Sequence, residues 1–147
     1  METREKKRGD RFDGYWLRDE VPAMNSFMAY LFPNRADNEA FIEQSIDLRP
    51  MDAFLAKKNA GLEKDKYSYF HVILAACVKC FVLRPRMNRF ISGNRIYQRD
   101  HISVAFVVKK RFEDSSSEGL AYKRYTGDDT IDTLHASILE EIYQCRR

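Results

Sequence analysis

Three histidines are the side chains best suited to proton transfer in this sequence of 147 residues. Histidine titrates near neutral pH and commonly serves as a general base. His71 lies inside an apolar stretch, and Lys79 follows two helical turns later, which makes a narrow polar seam. We therefore expect His71 to be a buried, hydrogen-bonded histidine rather than a catalytic base. His101 opens a predicted strand and His135 lies on a predicted helix, and both are expected at the surface.

Three cysteines offer thiol chemistry. Cys77 and Cys80 have the spacing of a redox motif, yet they lie within a predicted helix rather than at its N-terminus, where a thiolate would be stabilised. We interpret them as buried, unreactive thiols. A zinc site needs a second ligand pair, and none accompanies Cys145 or the scattered histidines, so no metal is expected. An odd number of cysteines fits a reducing compartment rather than a disulfide framework.

Positive charge is concentrated in one part of the chain. Arg84–Arg111 contains eight lysines or arginines against Asp100 alone, within a total net charge of +3. A basic surface attracts polyanions, so the phosphates of a coenzyme and a nucleic acid are both conceivable partners. Charged hairpin edges that discourage strand addition are the simpler interpretation. Nucleic acid is the least favoured partner, because no aromatic residues are interleaved on one recognisable face.

The elements that would position these residues centre on an apolar helix. Only His71 and Lys79 interrupt the apolar run of Phe70–Leu83, so we expect a core helix that lies against a sheet under further cover. The run is too short to cross a bilayer and contains ionisable groups, and no membrane contact is expected. Pro85 ends the helix.

A hairpin and a strand follow this helix. Ser92-Gly93-Asn94 predicts a tight turn between arms at Arg89–Ile91 and Arg95–Gln98. The apolar, β-branched run Ile102–Lys109 predicts a strand buried on both faces, at a central position in a sheet. Its side chains alternate, with Ile102, Val104, Phe106 and Val108 on one face and Ser103, Ala105 and Val107 on the other.

The remaining chain completes an α/β plan. We predict a short helix between Pro22 and Pro33, a strand at Phe41–Leu48, and a helix from Pro50 to Gly61. Phe112–Gly119 is predicted as a surface turn and Leu120–Tyr125 as a strand. The C-terminal segment is predicted as a helix with acidic residues at its start and arginines at its end, an arrangement that interacts favourably with the helix dipole. The predicted fold class is α/β, a mixed β-sheet with packed helices, in one domain at residues 13–147 after a charged tail at residues 1–12.

Several segments together resemble the chloramphenicol acetyltransferase superfamily, which includes the catalytic acyltransferase domain of 2-oxo acid dehydrogenase complexes. The similarity extends over roughly Asp13 to Gln144 and rests on the order of five segments: Gln44–Leu48, Lys66–Ala75, Arg84–Asn88, Ile102–Ala105 and Gly119-Leu120. The resemblance implies the N-terminal part of a two-layer fold, acyl-coenzyme A as cofactor with a small acceptor as second substrate, and a homo-oligomer, a trimer in relatives. No lipoyl group is expected on this chain.

The catalytic motif of that superfamily is absent from the sequence. Its members use the histidine of a His-x-x-x-Asp-Gly motif as general base. None of the three histidines here has an aspartate four residues later, and the Asp13-Gly14 pair has Gly9 at the histidine position. We therefore assign no catalytic residue and expect the N-terminal portion of a coenzyme A-dependent acyltransferase, incomplete and inactive alone. The alternative is a catalytically silent protein-interaction module of the same fold.

The resemblance also suggests a substrate channel. In relatives the strand matching Ile102–Lys109 borders the channel between subunits, which makes Ser103, Ala105 and Val107 the channel candidates. The competing interpretation is that both faces of this strand belong to the core, given how apolar they are. Met1–Asp13 is charged and shows no signal peptide, so a cytoplasmic location is expected.

Overall fold

The computed structural model describes residues 4–111, 113 and 117–146. Four helices and five strands form the main elements, in the order β1 (Gly14–Trp16), α1 (Ala23–Leu31), α2 (Arg49–Lys58), α3 (Tyr69–Leu83), β2 (Arg89–Ser92), β3 (Arg95–Arg99), β4 (Ile102–Lys109), β5 (Glu118–Tyr125) and α4 (Ile131–Arg146). Short 3-10 turns lie at Arg18–Glu20, Arg35–Asn38 and Pro85–Asn88. The expected combination of helices and strands is confirmed. The chain divides into two compact units.

The first unit contains residues up to Ile46 together with Leu83–His101. Its antiparallel sheet has the strand order β1-β3-β2. Gly93 and Asn94 have φ values of 55° and 58°, the left-handed pair typical of a two-residue hairpin turn, and this confirms the predicted hairpin. Strand β1 was not predicted, because three residues are too few to show alternation. Helix α1 was predicted correctly, and its Ala29 is buried.

The second unit contains Asp47–Val82 and Ile102–Arg147. Strands β4 and β5 pair antiparallel from Ile102↔Tyr125 to Lys109↔Glu118. Helices α3 and α4 pack on one face of this sheet, and six buried side chains form the shared core: Leu74, Val78, Ile102, Tyr125, Leu134 and Ile138. Thr130 and Thr133 exchange side-chain and backbone hydrogen bonds at the start of α4, which caps its first turn.

Three predictions about the strands and the sheet are wrong. Every pairing among the described residues is antiparallel, so the expected mixed sheet is instead two small antiparallel sheets. Strand β4 pairs with β5 alone among the described strands, rather than taking a central position. The predicted strand at Phe41–Leu48 does not form: Phe41 and Ile42 are 93% and 91% exposed. Alternating apolar residues make a strand only where a partner and a core face are present.

The positions of the helices around the second core were predicted more accurately than the burial of their side chains. α2 begins with Pro50 in its first turn, α3 ends before Pro85, and α4 is present as expected. However, α3 buries only His71, Leu74 and Val78, and Ile73 on the opposite side is 55% exposed. The expected further cover over α3 is therefore absent from the part of the chain that the structure describes. Residues 112 and 114–116 of the predicted surface turn lie outside the described residues.

Candidate functional site

The channel candidates lie on an exposed face of the β4–β5 sheet. Ser103, Ala105 and Val107 share this face with their β5 partners Arg124, Tyr122 and Leu120. We call these six residues the open face. Val107 is 59% and Leu120 is 72% exposed, so at these positions the small-residue side of β4 is not part of the core.

The opposite face of β4 carries the bulkier set and is packed, as the alternation predicted. Ile102 and Val108 are buried, and Val104 and Phe106 pack against the core. The Phe106 ring meets the Phe70 ring edge to face, with centroids 5.5 Å apart. This packing fixes the orientation of β4, and therefore which side chains reach the open face.

A shallow cavity lies at one end of the same strand. It measures about 320 Å³ and is lined by seven residues: Phe70, Phe106, Val107, Val108, Lys109, Ile142 and Arg146. Apolar side chains dominate this lining, and the described residues place no histidine or carboxylate in it. Such a surface can bind or orient an apolar group, but it supplies no general base.

The structure brings two histidines together inside the second unit. His71 on α3 and His135 on α4 have ring centroids 4.7 Å apart, and the Tyr67 ring stacks on His135 at 3.9 Å. His135 is 8% exposed, so the expectation that it lies at the surface is wrong. Its Nε2 donates to the Asp65 carbonyl oxygen at 2.8 Å. No local pattern links residues 64 positions apart, which is why the sequence did not reveal this pair.

His71 caps the helix that contains it. Its Nδ1 accepts a hydrogen bond from the Ser68 backbone N–H at 3.0 Å and lies 2.9 Å from Ser68 Oγ. Since Ser68 immediately precedes α3, the imidazole takes the place of the carboxylate in a capping box. An accepting Nδ1 leaves the proton of the neutral ring on Nε2, which is buried and has no hydrogen-bond partner among the described residues. His71 is buried as predicted, but only one of its nitrogens is satisfied.

The electrostatics of this cluster favour neutral histidine. Burial lowers the pKa of His71 below its ordinary value of 6.5, and the neighbouring His135 lowers it further. Asp132 accepts hydrogen bonds from Lys58 at 2.5 Å and from the Tyr67 hydroxyl at 2.7 Å. The Asp132 hydrogen bond raises the pKa of Tyr67. The carboxylate is thus engaged by partners outside the histidine pair, and the ring contact between His71 and His135 joins α3 to α4.

Two further expectations about titratable groups need correction. Cys77 is exposed and Cys80 is only partly buried, so these two cysteines are not the buried thiols expected. His101 is largely covered rather than at the surface, with 14% of its side chain exposed, and its Nδ1 contacts Asp100. Among the described residues no cluster of three or more metal-ligating side chains occurs.

The described part of the chain contains no helix long and apolar enough to cross a membrane. No protein-family model, curated protein or solved structure matches this sequence.

Proposed function

We propose that this chain is the N-terminal portion of a coenzyme A-dependent acyltransferase of the chloramphenicol acetyltransferase type, in which the open face forms one wall of the acceptor channel. One observation carries the proposal. The bulky side of β4 is packed while the side with Ser103, Ala105 and Val107 is accessible. A strand with one packed and one small-residue face suits a channel wall, because it is held rigid from behind.

The order of elements gives further support. Helix α2, the apolar helix α3, the hairpin, β4, β5 and α4 follow one another in the order that the resemblance implies, although the strand that it implies at Gln44–Leu48 does not form. The proposed fold is accordingly the two-layer arrangement of that superfamily, with acyl-coenzyme A as donor, a small hydroxyl or thiol compound as acceptor, and a trimer as the assembly.

In this proposal the general base is the histidine of a His-x-x-x-Asp-Gly motif, which these 147 residues do not contain. The base takes the proton of the acceptor's hydroxyl or thiol, the acceptor attacks the thioester carbonyl, and the coenzyme A thiolate leaves. His71 does not fit this role, because its Nδ1 caps α3 and its Nε2 is buried. His135 does not fit it either, because it is only 8% exposed and its ring is stacked on the Tyr67 ring.

The first test is the reading frame beyond codon 147. If it encodes a His-x-x-x-Asp-Gly motif, the full product should transfer acetyl from acetyl-coenzyme A to thiol or hydroxyl acceptors. If neither that frame nor any protein that copurifies with this chain carries the motif, the acyltransferase proposal is wrong.

The channel wall is tested in the same product. Ala105→Trp should raise the KM of the acceptor, because the indole enters the channel. Ala56→Trp, at an exposed alanine of α2, is the matched control and should leave KM unchanged. Equal kinetics for the two variants would contradict the assignment of the open face.

A protein-interaction module is the second candidate function. It is favoured by the exposed apolar side chains Val107, Leu120 and Tyr122 on the open face, since contiguous patches of this kind commonly mark interaction surfaces. The same reading-frame test separates the two functions. The module becomes the better proposal if no histidine motif accompanies the chain.

A further inference from the structure

We propose that a cleft in the first unit binds a phosphorylated nucleoside, with its phosphates held by Arg18 and Arg95. We call this the arginine cleft. It has a volume of about 400 Å³, within the range of small-molecule sites, and six residues define its chemistry: Trp16, Arg18, Ser26, Tyr30, Asn94 and Arg95. The proposal does not rest on the acyltransferase function, and it fails or holds independently of it.

The charge of the cleft fits an anion. Arg18 and Arg95 are exposed cations, and no carboxylate lines the cleft among the described residues. The nearby Asp10 has a buried side chain and lies 3.7 Å from Arg4, which supplies it with a cation. The Arg95 side chain forms no salt bridge or hydrogen bond with the described residues, and its guanidinium lies over the Trp16 ring. Its donors therefore remain available to a ligand.

Both guanidinium groups lie over the ring of Trp16. The Arg18 and Arg95 Cζ atoms lie 4.6 Å and 4.3 Å from the centroid of the Trp16 ring. Stacking through the guanidinium plane leaves the N–H groups on the edges, in the fork geometry that matches phosphate oxygens. Trp16 thus contacts both guanidinium groups that line the cleft, and one Arg18 N–H also donates to the Arg8 carbonyl.

The backbone around Trp16 is fixed by specific contacts. The Trp16 N–H donates to the Asp10 carboxylate at 2.8 Å. Gly9 has a φ of +95°, and a Cβ atom there would lie 3.0 Å from the Trp16 ring, so only glycine lets the chain approach so closely. Arg18 itself has a φ of 38°, an uncommon value for a residue with a side chain, and its guanidinium donates to the Arg8 carbonyl. A preformed site of this kind loses little entropy when it binds.

The remaining lining explains why the ligand is a nucleoside phosphate rather than phosphate alone. Tyr30 is 62% exposed and presents a ring to the cleft, while Ser26 and Asn94 add hydrogen-bonding groups. An aromatic ring binds the face of a base, and hydroxyl and amide groups bind the edges of a base or sugar. This chemistry occurs in a free nucleoside diphosphate and at the nucleotide end of coenzyme A.

The experiment uses Trp16, the only tryptophan of the chain, as a built-in probe. The chain is titrated with ADP, coenzyme A, pyrophosphate and adenosine while tryptophan fluorescence excited at 295 nm is recorded, and calorimetry provides an independent measurement. We expect saturable binding of ADP and coenzyme A, weaker binding of pyrophosphate, and none of adenosine. Tighter binding of coenzyme A than of ADP would identify coenzyme A as the natural ligand. Tighter binding of ADP would identify a free nucleotide as the natural ligand.

Three variants make the assignment specific. Arg95→Gln should raise the Kd for ADP about tenfold or more, because one charged hydrogen-bonding group is lost. Tyr30→Ala should weaken ADP binding but leave pyrophosphate binding unchanged. Arg124→Gln removes the same charge from the open face and should bind ADP like the unmodified chain. Melting temperatures confirm that each variant is folded, which is expected because all three side chains are exposed.

Three results would overturn the proposal. The first is the absence of any saturable signal with ADP or coenzyme A at millimolar concentrations. The second is an equal loss of affinity in Arg95→Gln and Arg124→Gln, which would show that binding responds only to net charge. The third is binding of pyrophosphate as tight as that of ADP and coenzyme A, which would show a simple anion site without nucleoside recognition.

Discussion

Individual side chains in this protein have roles that their types alone do not reveal. His71 is buried, and it also caps helix α3. The cap requires the neutral ring, because a protonated Nδ1 has no lone pair to accept the Ser68 N–H. The same residue type at position 135 donates from Nε2 to a backbone carbonyl. Both histidines of the second unit therefore make contacts inside the fold, and the role of His71 leads to a measurable consequence.

Acidification should destabilise the chain through His71. The pKa of this residue is lowered in the folded state, so below pH 6.5 the unfolded chain binds a proton that the folded chain does not. The contribution to stability is complete above pH 6.5 and is lost as the pH falls from 6.5 through the folded-state pKa. Urea unfolding at pH 7.5 and pH 5.5 measures the difference.

His71→Gln should reduce this dependence on pH, because glutamine can accept the Ser68 N–H and does not titrate. Gln144→Ala, at an exposed side chain of α4 that does not titrate, is the control, and it should keep the pH dependence of the unmodified chain. Equal stability of the unmodified chain at the two pH values would refute the assignment.

The isolated 147 residues should not transfer acetyl from acetyl-coenzyme A to any thiol or hydroxyl acceptor above background. A positioned base contributes about 10² to 10⁴-fold to such a reaction, and neither His71 nor His135 is placed to act as one. A thiol-release assay with several acceptors measures the rate. If the chain does turn over substrate and His71→Ala abolishes that activity, His71 is the catalytic base, and its role is not limited to capping α3.

At the scale of the elements, the two faces of β4 should respond differently to mutation. Ala105→Trp adds a ring to the open face and should change the free energy of unfolding by about 0.5 kcal/mol or less, as exposed substitutions usually do. Phe106→Ala removes packing against the core and should cost about 3 kcal/mol. Urea unfolding of the two variants measures both values. A loss for Ala105→Trp as large as that for Phe106→Ala would mean that both faces of β4 are core.

The sequence predicts helix ends and turns, which are stabilised locally. It predicts strand pairing and burial less well, because these depend on segments far away in the chain. Pro50 and Pro85 mark a helix start and a helix end, and Gly93-Asn94 supplies the positive φ values of a hairpin, so α2, α3 and the β2–β3 turn were correctly located. The apolar run of β4 gave the strand but not its neighbours. Burial on both faces needs cover from other segments, and alternation along one strand does not show whether that cover exists.

The candidate sites show the same division. The alternation of β4 predicted which side chains share the open face, because strand periodicity is a local property. The contact between His71 and His135 and the stacking of Arg18 and Arg95 on Trp16 were not predicted. The contacts His71–His135 and Arg95–Trp16 join residues far apart in the chain, and only the basic character of Arg84–Arg111 indicated part of the second cluster in advance.

At the scale of the whole molecule, the amount of exposed apolar surface leads to a prediction about assembly. Large apolar side chains remain exposed in both units, among them Phe41, Ile42, Val107 and Leu120. Monomeric proteins rarely expose large contiguous apolar patches, and such patches favour association. We expect the chain to form a homo-oligomer, a trimer by the family resemblance, or a poorly soluble species. Light scattering over a range of concentrations measures the mass.

One pair of variants tests whether the open face takes part in this association. Leu120→Asp places a charge at a side chain that is 72% exposed, and it should lower the mass because an unpaired carboxylate is costly to bury in an interface. Ala56→Asp adds the same charge on an exposed part of α2 and should leave the mass unchanged. A monomer at every concentration, with cooperative unfolding, would show that the exposed side chains do not drive association.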